Sequence, residues 1–195
     1  MSTCRPLPNR PGYCVGQLEG VLLTQEQIAA RVAALGEEIT RDYAGKSVTV
    51  LGVLNGVVVF LADLLRHVDL PCRLDFVTLS TYGDGTESRG EVSLQRGPAL
   101  PLAGECVLVV EDIVDSGRTL TWLVEWLRPQ AAEVRVCCLL DKPSRRVAPV
   151  HLDYVGFAIP DHFVVGYGLD FAQSYRNLPY VAVMKAEAYA EVCGE

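Results

Sequence analysis

The chain has 195 residues, of which 50% are hydrophobic and 21% are charged, and its formal net charge at pH 7 is −7. This length suits one domain with a substantial core, and the composition excludes an intrinsically disordered chain. The acidic balance argues against nucleic-acid binding, which needs a basic surface, but it is compatible with a small phosphorylated ligand held by local backbone amides and a metal ion.

Helices and strands are predicted to alternate along the first part of the chain. Residues Gln25 to Tyr43 carry apolar side chains three and four positions apart, which predicts an amphipathic helix with Thr24 as its N-cap. A β-branched apolar strand is predicted over Ser47 to Leu54. A turn at Asn55-Gly56 then leads into an apolar helix over Val57 to Arg66.

A long polar segment follows the next strand. Apolar and polar side chains alternate over Arg73 to Thr81, which predicts a strand. Residues Tyr82 to Pro101 are rich in Gly, Ser, Thr and charge, without an apolar period, and are predicted to form a loop. Loops of this length in compact domains are usually functional or mobile.

The second half continues the alternation. Strands are predicted over Glu105 to Val110 and Val134 to Leu140, and between them lie a loop over Asp112 to Gly117 and a helix over Arg118 to Leu127. Continuous apolar strands that alternate with helices indicate a parallel sheet covered on both faces. Tyr154 to Val183 is predicted to contain short strands and turns. We find no repeat and no interdomain linker, so the sequence predicts a single α/β domain.

Cellular location and cysteine chemistry are also constrained. No apolar run reaches the roughly 18 residues of a membrane-spanning helix, and the polar N-terminus lacks an apolar signal core. We therefore expect a cytoplasmic protein with no membrane partner. The seven cysteines show neither CxxC nor Cys/His metal spacing, and several lie in apolar runs, so we interpret them as reduced core residues.

The segment Val107 to Thr119, VLVVEDIVDSGRT, places polar groups directly after a buried strand. The strand is expected to end at Glu111 and Asp112, at the edge where open α/β sheets bind ligands. These carboxylates can accept hydrogen bonds from a sugar diol or attract Mg²⁺. The amides of the helix start and the hydroxyls of Ser116 and Thr119 form a compact cradle for a phosphate.

A plainer interpretation is that Asp115 or Ser116 only caps the helix. Capping does not account for two further acids directly at the strand end, so the ligand-binding interpretation is favoured. The chain has neither a Walker A lysine nor a GxGxxG fingerprint, which argues against an ATPase or a dinucleotide enzyme.

The same segment closely resembles the phosphoribosyl pyrophosphate motif of type I phosphoribosyltransferases: four apolar residues, two acids, two apolar residues, then Asp-Ser/Thr-Gly-x-Thr. The resemblance extends from about Ile28 to Val183 and points to hypoxanthine-guanine enzymes, through LLDKPSRR (Leu139 to Arg146) and IPDHFVVGYGLDF (Ile159 to Phe171). It implies the type I fold, a twisted and mainly parallel sheet with flanking helices. The core would span residues 25–150, and a small hood would form from the N-terminal segment and residues 151–195.

The resemblance implies contacts to a purine. Asp115 matches the acid that exchanges a proton with the purine N7, and Lys142 matches a lysine that donates to O6 of a 6-oxopurine. Phe163 matches the aromatic residue stacked on the base, and the Val164 backbone matches the contact to its far edge. An ammonium suits a carbonyl oxygen but not adenine's amino group, which is itself a donor. The plainer interpretations are a solvated loop lysine and a core phenylalanine.

Other residues match the family's binding site for phosphoribosyl pyrophosphate and Mg²⁺. Asp170, beside the base, matches a carboxylate that helps to hold Mg²⁺, and Arg176 matches an arginine that contacts pyrophosphate, although a surface ion pair would look the same. Thr81 and Tyr82 match the pair at the head of a mobile lid that excludes water. The remaining nucleotide-binding residues are expected to be Glu111, Asp112, Ser116, Gly117, Arg118 and Thr119, with Glu111 and Asp112 also available to the metal.

Asn55 departs from the family pattern. Asn55-Gly56 matches the turn where the family binds pyrophosphate through an unusual backbone conformation, and many relatives carry lysine or arginine before the glycine. Asparagine removes that cation, so pyrophosphate binding at this turn is expected to depend on the amides of the helix start.

The implied reaction is Mg²⁺-dependent transfer of 5-phosphoribosyl from phosphoribosyl pyrophosphate to hypoxanthine or guanine, which yields IMP or GMP and pyrophosphate for purine salvage. The resemblance also implies a homodimer or homotetramer. Three alternatives stay open: an adenine or xanthine enzyme, an RNA-binding regulator of pyrimidine genes, and a catalytically silent regulatory subunit. The net charge of −7 argues against the RNA-binding regulator. A silent subunit would be expected to lack Asp115 or the acid pair.

Overall fold

The structure is a computed structural model that describes residues 15–82 and 91–193. Within these ranges the chain forms a six-stranded sheet, a three-stranded sheet and flanking helices. The strands are β1 (Leu18–Leu23), β2 (Val48–Leu54), β3 (Cys72–Tyr82), β4 (Glu91–Arg96), β5 (Cys106–Val114), β6 (Glu133–Asp141), β7 (Tyr154–Ala158), β8 (Val164–Val165) and β9 (Val181–Met184). The α-helices are α1 (Gln25–Asp42), α2 (Val58–Leu65), α3 (Arg118–Leu127) and α4 (Ala186–Cys193).

The large sheet has the strand order β4-β3-β2-β5-β6-β7. All neighbouring pairs are parallel except β3 and β4, which are antiparallel. The predicted α/β class with a mainly parallel sheet is therefore confirmed. Because the parallel strands run in one direction, β2, β5 and β6 end at the same edge of the sheet, and the loops that follow them meet there.

Helices cover both faces of this sheet, as the continuous apolar strands predict. On β5, Leu108 and Val110 belong to the core that packs against α1 and α2, whereas Val107 and Val109 belong to the core under α3. Successive side chains of a strand point to opposite faces, so four consecutive apolar residues fill two cores. The central strand that carries the site is thereby fixed on both sides.

The first helix begins where the sequence predicts. The Thr24 amide donates to Gln27 Oε1 at 2.9 Å, and the Gln27 amide donates to Thr24 Oγ1 at 3.3 Å. This reciprocal pair is a capping box, which satisfies backbone donors that have no partner inside the helix. The local sequence therefore accounts for where this helix begins.

The small sheet joins distant parts of the chain in the antiparallel order β1-β9-β8. Its own apolar cluster contains Leu18, Val165, Leu178 and Met184. Strand β7 lies beyond residue 151 but pairs in parallel with β6 in the large sheet. Of residues 151–195, therefore, only those beyond β7 contribute to the small sheet, where β8 and β9 join β1 of the N-terminal segment.

The segment predicted as a long loop contains a strand. Residues Glu91–Arg96 form β4 and pair with β3, where the hydroxyls of Ser80 and Ser93 lie 2.9 Å apart across the strands. Leu94 packs against the core under α3. The apolar pattern is too short to predict a strand alone, and the pairing with β3 stabilises it.

Strand β5 also runs further than predicted. Ile113 and Val114 pair with Leu140 and Asp141 of β6, so Glu111 and Asp112 lie inside the strand and not at its end. Only residues 115–117 separate β5 from α3. The pairing with β6 extends the strand past two residues whose side-chain charges suggested a boundary.

The four cysteines whose burial the structure describes differ in exposure, and Cys106 is intermediate between the extremes. Cys137 and Cys138 are buried free thiols, as expected, and burial raises the pKa of Cys138 to about 12. Cys72 is exposed at the start of β3, so its interpretation as a core residue is wrong. Within the described ranges, no helix is both long and apolar enough to cross a bilayer.

Candidate active site

A cleft of about 360 Å³ opens where β2, β5 and β6 end and the chain after β7 turns back over them. It brings together most of the residues predicted to bind purine, pyrophosphate or metal. Ile113 and Leu169 supply apolar wall that sequence reasoning missed, because an apolar residue beside a motif gives no signal of its own. The cleft is lined by Asn55, Gly56, Asp112, Ile113, Asp115, Lys142, Phe163, Val164, Leu169, Asp170 and Arg176.

A second cavity of about 250 Å³ adjoins the cleft, and Asp115 and Ile113 line both spaces. Four further predicted residues line it: Glu111, Ser116, Gly117 and Thr119. Arg118, by contrast, is exposed at the start of α3 and lines neither cavity. The backbones of Thr81 and Tyr82 end β3, and their side chains are outside what the structure describes.

The turn between β5 and α3 has a tightly supported backbone. The Ser116 carbonyl accepts hydrogen bonds from the amides of Val147 and Ala148 at 2.9 and 3.0 Å. Gly117 has a φ of 79°, and a Cβ there would lie 2.8 Å from the Ala148 carbonyl oxygen, so only glycine fits. The helix start after Gly117 therefore presents its amides beside the second cavity, an arrangement suited to an anion.

The turn after β2 makes close backbone contacts with two other parts of the site. The Leu54–Asn55 peptide bond is cis. A Cβ at Gly56 would overlap the Asp112 carboxylate, and a Cβ at Gly168 would overlap the Gly56 carbonyl oxygen. Glycine at both positions is what lets this turn lie directly against the acid of β5 and the loop before β9.

Glu111 and Asp112 are adjacent acids within β5. The Ile113 amide donates to Asp112 Oδ1 at 2.7 Å, and the Asp112 amide lies 3.3 Å from Glu111 Oε1. Burial and the adjacent Asp112 carboxylate raise the pKa of Glu111, and burial raises the pKa of Asp112. Burial disfavours the ionised form of both acids, so they are suited to partners that stabilise the anions, namely sugar hydroxyls or a divalent cation.

Lys142 lies at the end of β6 with its ammonium between two carboxylates. Its amide donates to the Val114 carbonyl at 3.0 Å, and its side chain is only 9% exposed. Nζ lies 3.9 Å from Asp115 Oδ2 and 3.8 Å from Asp161 Oδ1. These separations exceed hydrogen-bond distance, so the ammonium keeps donors for a ligand in the cleft.

Arg145 and Asp161 complete this group, and sequence reasoning missed both. Arg145 Nε lies 2.9 Å from Asp115 Oδ1, and Arg145 Nη1 lies 3.4 Å from Asp161 Oδ2. The charge of Asp115 and a hydrogen bond to Asp161 raise the pKa of Arg145. The signal was present in the sequence, since both residues lie in the two segments that carry the family resemblance.

Phe163 is packed by other rings and also lines the cleft. Its ring meets Phe171 edge-to-face at 5.7 Å and stacks on Tyr189 at 4.9 Å. These contacts join it to the core of the small sheet, so the plainer core interpretation holds in part. A ring supported in this way is well placed to cover the face of a ligand.

Asp170 and Arg176 form an ion pair at 2.8 Å, as one of the two interpretations expected, and both line the cleft. Arg176 also donates to the Gly168 carbonyl at 2.9 Å, and the Gln173 amide donates to Asp170 at 2.9 Å. Among the described residues, no three carboxylate, cysteine or histidine side chains are grouped closely enough to hold a metal ion.

Comparison with known proteins agrees with this geometry. Residues 20–172 match the family described as the phosphoribosyl transferase domain. The hypoxanthine-guanine phosphoribosyltransferase of Lactococcus lactis is 48% identical over 172 residues, which are 88% of this chain and 94% of that protein. The enzyme of the same name from Bacillus subtilis is 45% identical over 173 residues, which are 88% of this chain and 96% of that protein.

A solved structure gives the same result at the level of the fold. A hypoxanthine phosphoribosyltransferase from Staphylococcus aureus is similar with a TM-score of 0.87 and 40% sequence identity. The match covers 92% of this chain and 99% of that one. On the evidence of its sequence and its fold, the chain belongs to the hypoxanthine-guanine phosphoribosyltransferase family.

Proposed function

We propose that this chain transfers 5-phosphoribosyl from phosphoribosyl pyrophosphate to hypoxanthine or guanine, which yields IMP or GMP and pyrophosphate. One observation carries the proposal: Asp115 lines both a cavity beside the glycine turn before α3 and a cleft with an aromatic ring and a buried ammonium. A purine nucleotide needs those two environments on either side of its glycosidic bond. The reaction would belong to purine salvage.

The base half of the cleft supports a 6-oxopurine. The Lys142 ammonium donates to O6, the Phe163 ring covers one face of the base, and the Val164 backbone contacts its far edge. Asp115 exchanges a proton with N7 as the base nitrogen N9 attacks the anomeric carbon. Because Lys142 carries only donors, adenine's amino group would leave it unpaired, which disfavours an adenine enzyme.

The other half supports phosphoribosyl pyrophosphate. The turn from Ser116 to Thr119 binds the 5′-phosphate through helix-start amides, and Arg118 contributes its amide there. The acid pair Glu111 and Asp112 accepts hydrogen bonds from the ribose hydroxyls. The amides of Asn55 and Gly56, with Arg176, bind pyrophosphate. Catalysis comes from positioning and electrostatics, without a covalent enzyme intermediate.

The oxygen donors at the site also fit Mg²⁺. Asp170, Glu111 and Asp112 are carboxylates, the ligand type this ion prefers, and Mg²⁺ usually retains water and substrate oxygens in its coordination shell. Asp170 and the acid pair are the residues that would hold the ion. When bound, Mg²⁺ neutralises charge on the departing pyrophosphate.

Three broader features belong to the same proposal. The two sheets form one domain over residues 1–195, with the large sheet as core and the small sheet as hood. Thr81 and Tyr82 begin a lid that closes over the cleft and excludes water. The protein is cytoplasmic and assembles as a homodimer or homotetramer, and it has no nucleic-acid or membrane partner.

The test is nucleotide formation by the purified protein. Phosphoribosyl pyrophosphate and Mg²⁺ are incubated with hypoxanthine, guanine, xanthine or adenine, and the products are separated by chromatography. We expect IMP and GMP, no AMP, and loss of activity when a chelator removes the metal. A reaction without base is the control for hydrolysis. Absence of nucleotide with every 6-oxopurine would overturn the proposal.

A further inference from the structure

The two carboxylate oxygens of Asp115 have different surroundings. Oδ1 is 2.9 Å from Arg145 Nε, a full hydrogen bond to a cation. Oδ2 is 3.9 Å from Lys142 Nζ, beyond hydrogen-bond distance. One oxygen is therefore fixed by the protein and the other remains available to a ligand in the cleft.

Arg145 is itself held by a second acid. Its Nη1 lies 3.4 Å from Asp161 Oδ2, and the other oxygen of Asp161 lies 3.8 Å from Lys142 Nζ. Asp115, Lys142, Asp161 and Arg145 thus alternate in charge around a closed ring, which we call the ion ring. Each cation lies between the same two carboxylates.

Arg145 and Asp161 of the ion ring both lie in segments whose backbone is hydrogen-bonded to the end of β6. The Arg145 amide donates to the Lys142 carbonyl at 3.1 Å, within the single helical turn Pro143–Arg145. The Ile159 amide, two residues before Asp161, donates to the Asp141 carbonyl at 2.8 Å. Arg145 therefore contacts Asp115 from a backbone segment that is held by hydrogen bonds within the protein.

We propose that Arg145 is a positioning residue for proton transfer, which holds Asp115 in the rotamer that directs Oδ2 into the cleft. Asp161 anchors Arg145 and Lys142 together. The proposal rests on the proposed function, because it assigns Asp115 the exchange of a proton with the base. Arg145 does not line the cleft, so it acts through Asp115 and not on the substrate.

The ion pair between Asp115 and Arg145 is too exposed to be important for folding, so its loss should affect catalysis more than stability. The side chains of Asp115 and Arg145 are 43% and 53% exposed. Ion pairs this exposed contribute little to stability. A carboxylate this exposed would otherwise sample several rotamers, and an ångström of misplacement at a reacting group can reduce the rate strongly.

The experiment compares Arg145→Met, Arg145→Lys and the matched control Arg128→Met, which removes an exposed arginine at the far end of α3. We expect Arg145→Met to lower kcat about tenfold or more while the KM for phosphoribosyl pyrophosphate changes less than about twofold. Arg145→Lys should be intermediate, because one ammonium can still contact Asp115. Arg128→Met should match the wild type, and all three should unfold at the wild-type temperature.

A double variant tests whether the ion ring acts as a unit. Asp161→Asn should lower kcat at least as much as Arg145→Met, because it releases both cations. The double variant should then lose little more than Asp161→Asn alone, since residues that act together are not additive. Two independent losses that multiply would contradict the proposal.

The outcomes distinguish the two proposals. If the wild type forms no nucleotide, the proposed function fails and the role of Arg145 fails with it. If the wild type is active and Arg145→Met retains kcat within about twofold, only the positioning role is wrong. A KM for phosphoribosyl pyrophosphate that rises as much as kcat falls would also overturn it, since that pattern indicates general loss of binding.

Discussion

Each end of β6 carries a cation among carboxylates, but the packing around the two cations differs. At the amino end, Arg135 lies 2.6 Å from Glu133, 3.3 Å from Asp42 and 2.9 Å from the Tyr154 hydroxyl. Its guanidinium also covers the ring of Tyr43, with 4.9 Å between them. Groups of the protein therefore surround the guanidinium and use its hydrogen-bond donors.

At the carboxyl end the same kinds of group are arranged loosely around open space. Lys142 is almost fully buried, yet its ammonium is 3.8 Å or more from both neighbouring acids and lines a cleft of about 360 Å³. A cluster of charges therefore does not identify a site by its composition. What distinguishes the site is that its charged groups retain unused hydrogen-bonding capacity beside a cavity.

The largest effect on catalysis should come from Asp115, beside the carboxyl end of β6, which we call the open end because its charged groups surround the cleft. Replacement of Asp115 by Asn removes the proton acceptor, and we expect kcat to fall about 10²- to 10⁴-fold. The thermal unfolding midpoint should stay at the wild-type value, because the side chain is 43% exposed. Steady-state kinetics and thermal unfolding of the same preparation measure both. Near wild-type turnover would show that Asp115 does not transfer the proton.

Local patterns in the sequence predicted several helices and site residues. Helix α3 and the start of α1 follow from apolar periodicity and capping, and the structure confirms them. Asp115, Lys142 and Phe163 were assigned through local motifs, and they meet in one cleft because parallel strands end at one edge of the sheet.

Features that depend on distant chain segments were not predictable in this way. The contact between Arg145 and Asp161 depends on how the turn after β6 faces the turn after β7, and no periodicity encodes that. Strand β4 depends on β3 as its pairing partner, and the extension of β5 past the acid pair depends on β6. Local patterns therefore predicted elements, and tertiary pairing determined their limits.

A substitution at the amino end of β6, which we call the closed end, should lower the stability of the fold and leave kcat unchanged. Arg135→Met removes the contacts to Glu133, Asp42 and Tyr154. Asp42 then loses this cation, whereas Glu133 keeps Lys46 at 2.9 Å. We expect a loss of about 2 kcal/mol in the free energy of unfolding, measured with urea. Since Arg135 is about 20 Å from the end of β6, at roughly 3.3 Å per residue, kcat should be unchanged.

Arg128→Met is the control for that experiment, because it removes an exposed arginine outside the Arg135 cluster. It should change neither the free energy of unfolding nor kcat. If Arg135→Met lowered kcat while stability stayed at the wild-type value, the separation of the two ends would be wrong.

The smallest effect concerns Asp75, a carboxylate in β3 whose acceptor positions are filled, unlike those of Asp115. The residue is only 7% exposed and accepts hydrogen bonds from the amides of Phe76, Ala99 and Leu100 at 2.8, 2.6 and 2.7 Å. Burial alone would raise the pKa of Asp75, but the three donors outweigh it and hold the pKa below the usual range.

The sign of the pH dependence follows from that lowered pKa. The ionised Asp75 stabilises the fold fully above the unfolded pKa of about 3.9, and this stabilisation is lost as the pH falls through the folded pKa. Asp75→Asn should therefore cost about 1 kcal/mol at pH 7, and the difference from the wild type should shrink below about pH 4. Urea unfolding of both proteins at neutral and acidic pH measures this difference. A difference in stability that grew in acid would mean that the fold raises the pKa of Asp75. A fall in kcat of Asp75→Asn at neutral pH would mean that this carboxylate, like Asp115, contributes to catalysis.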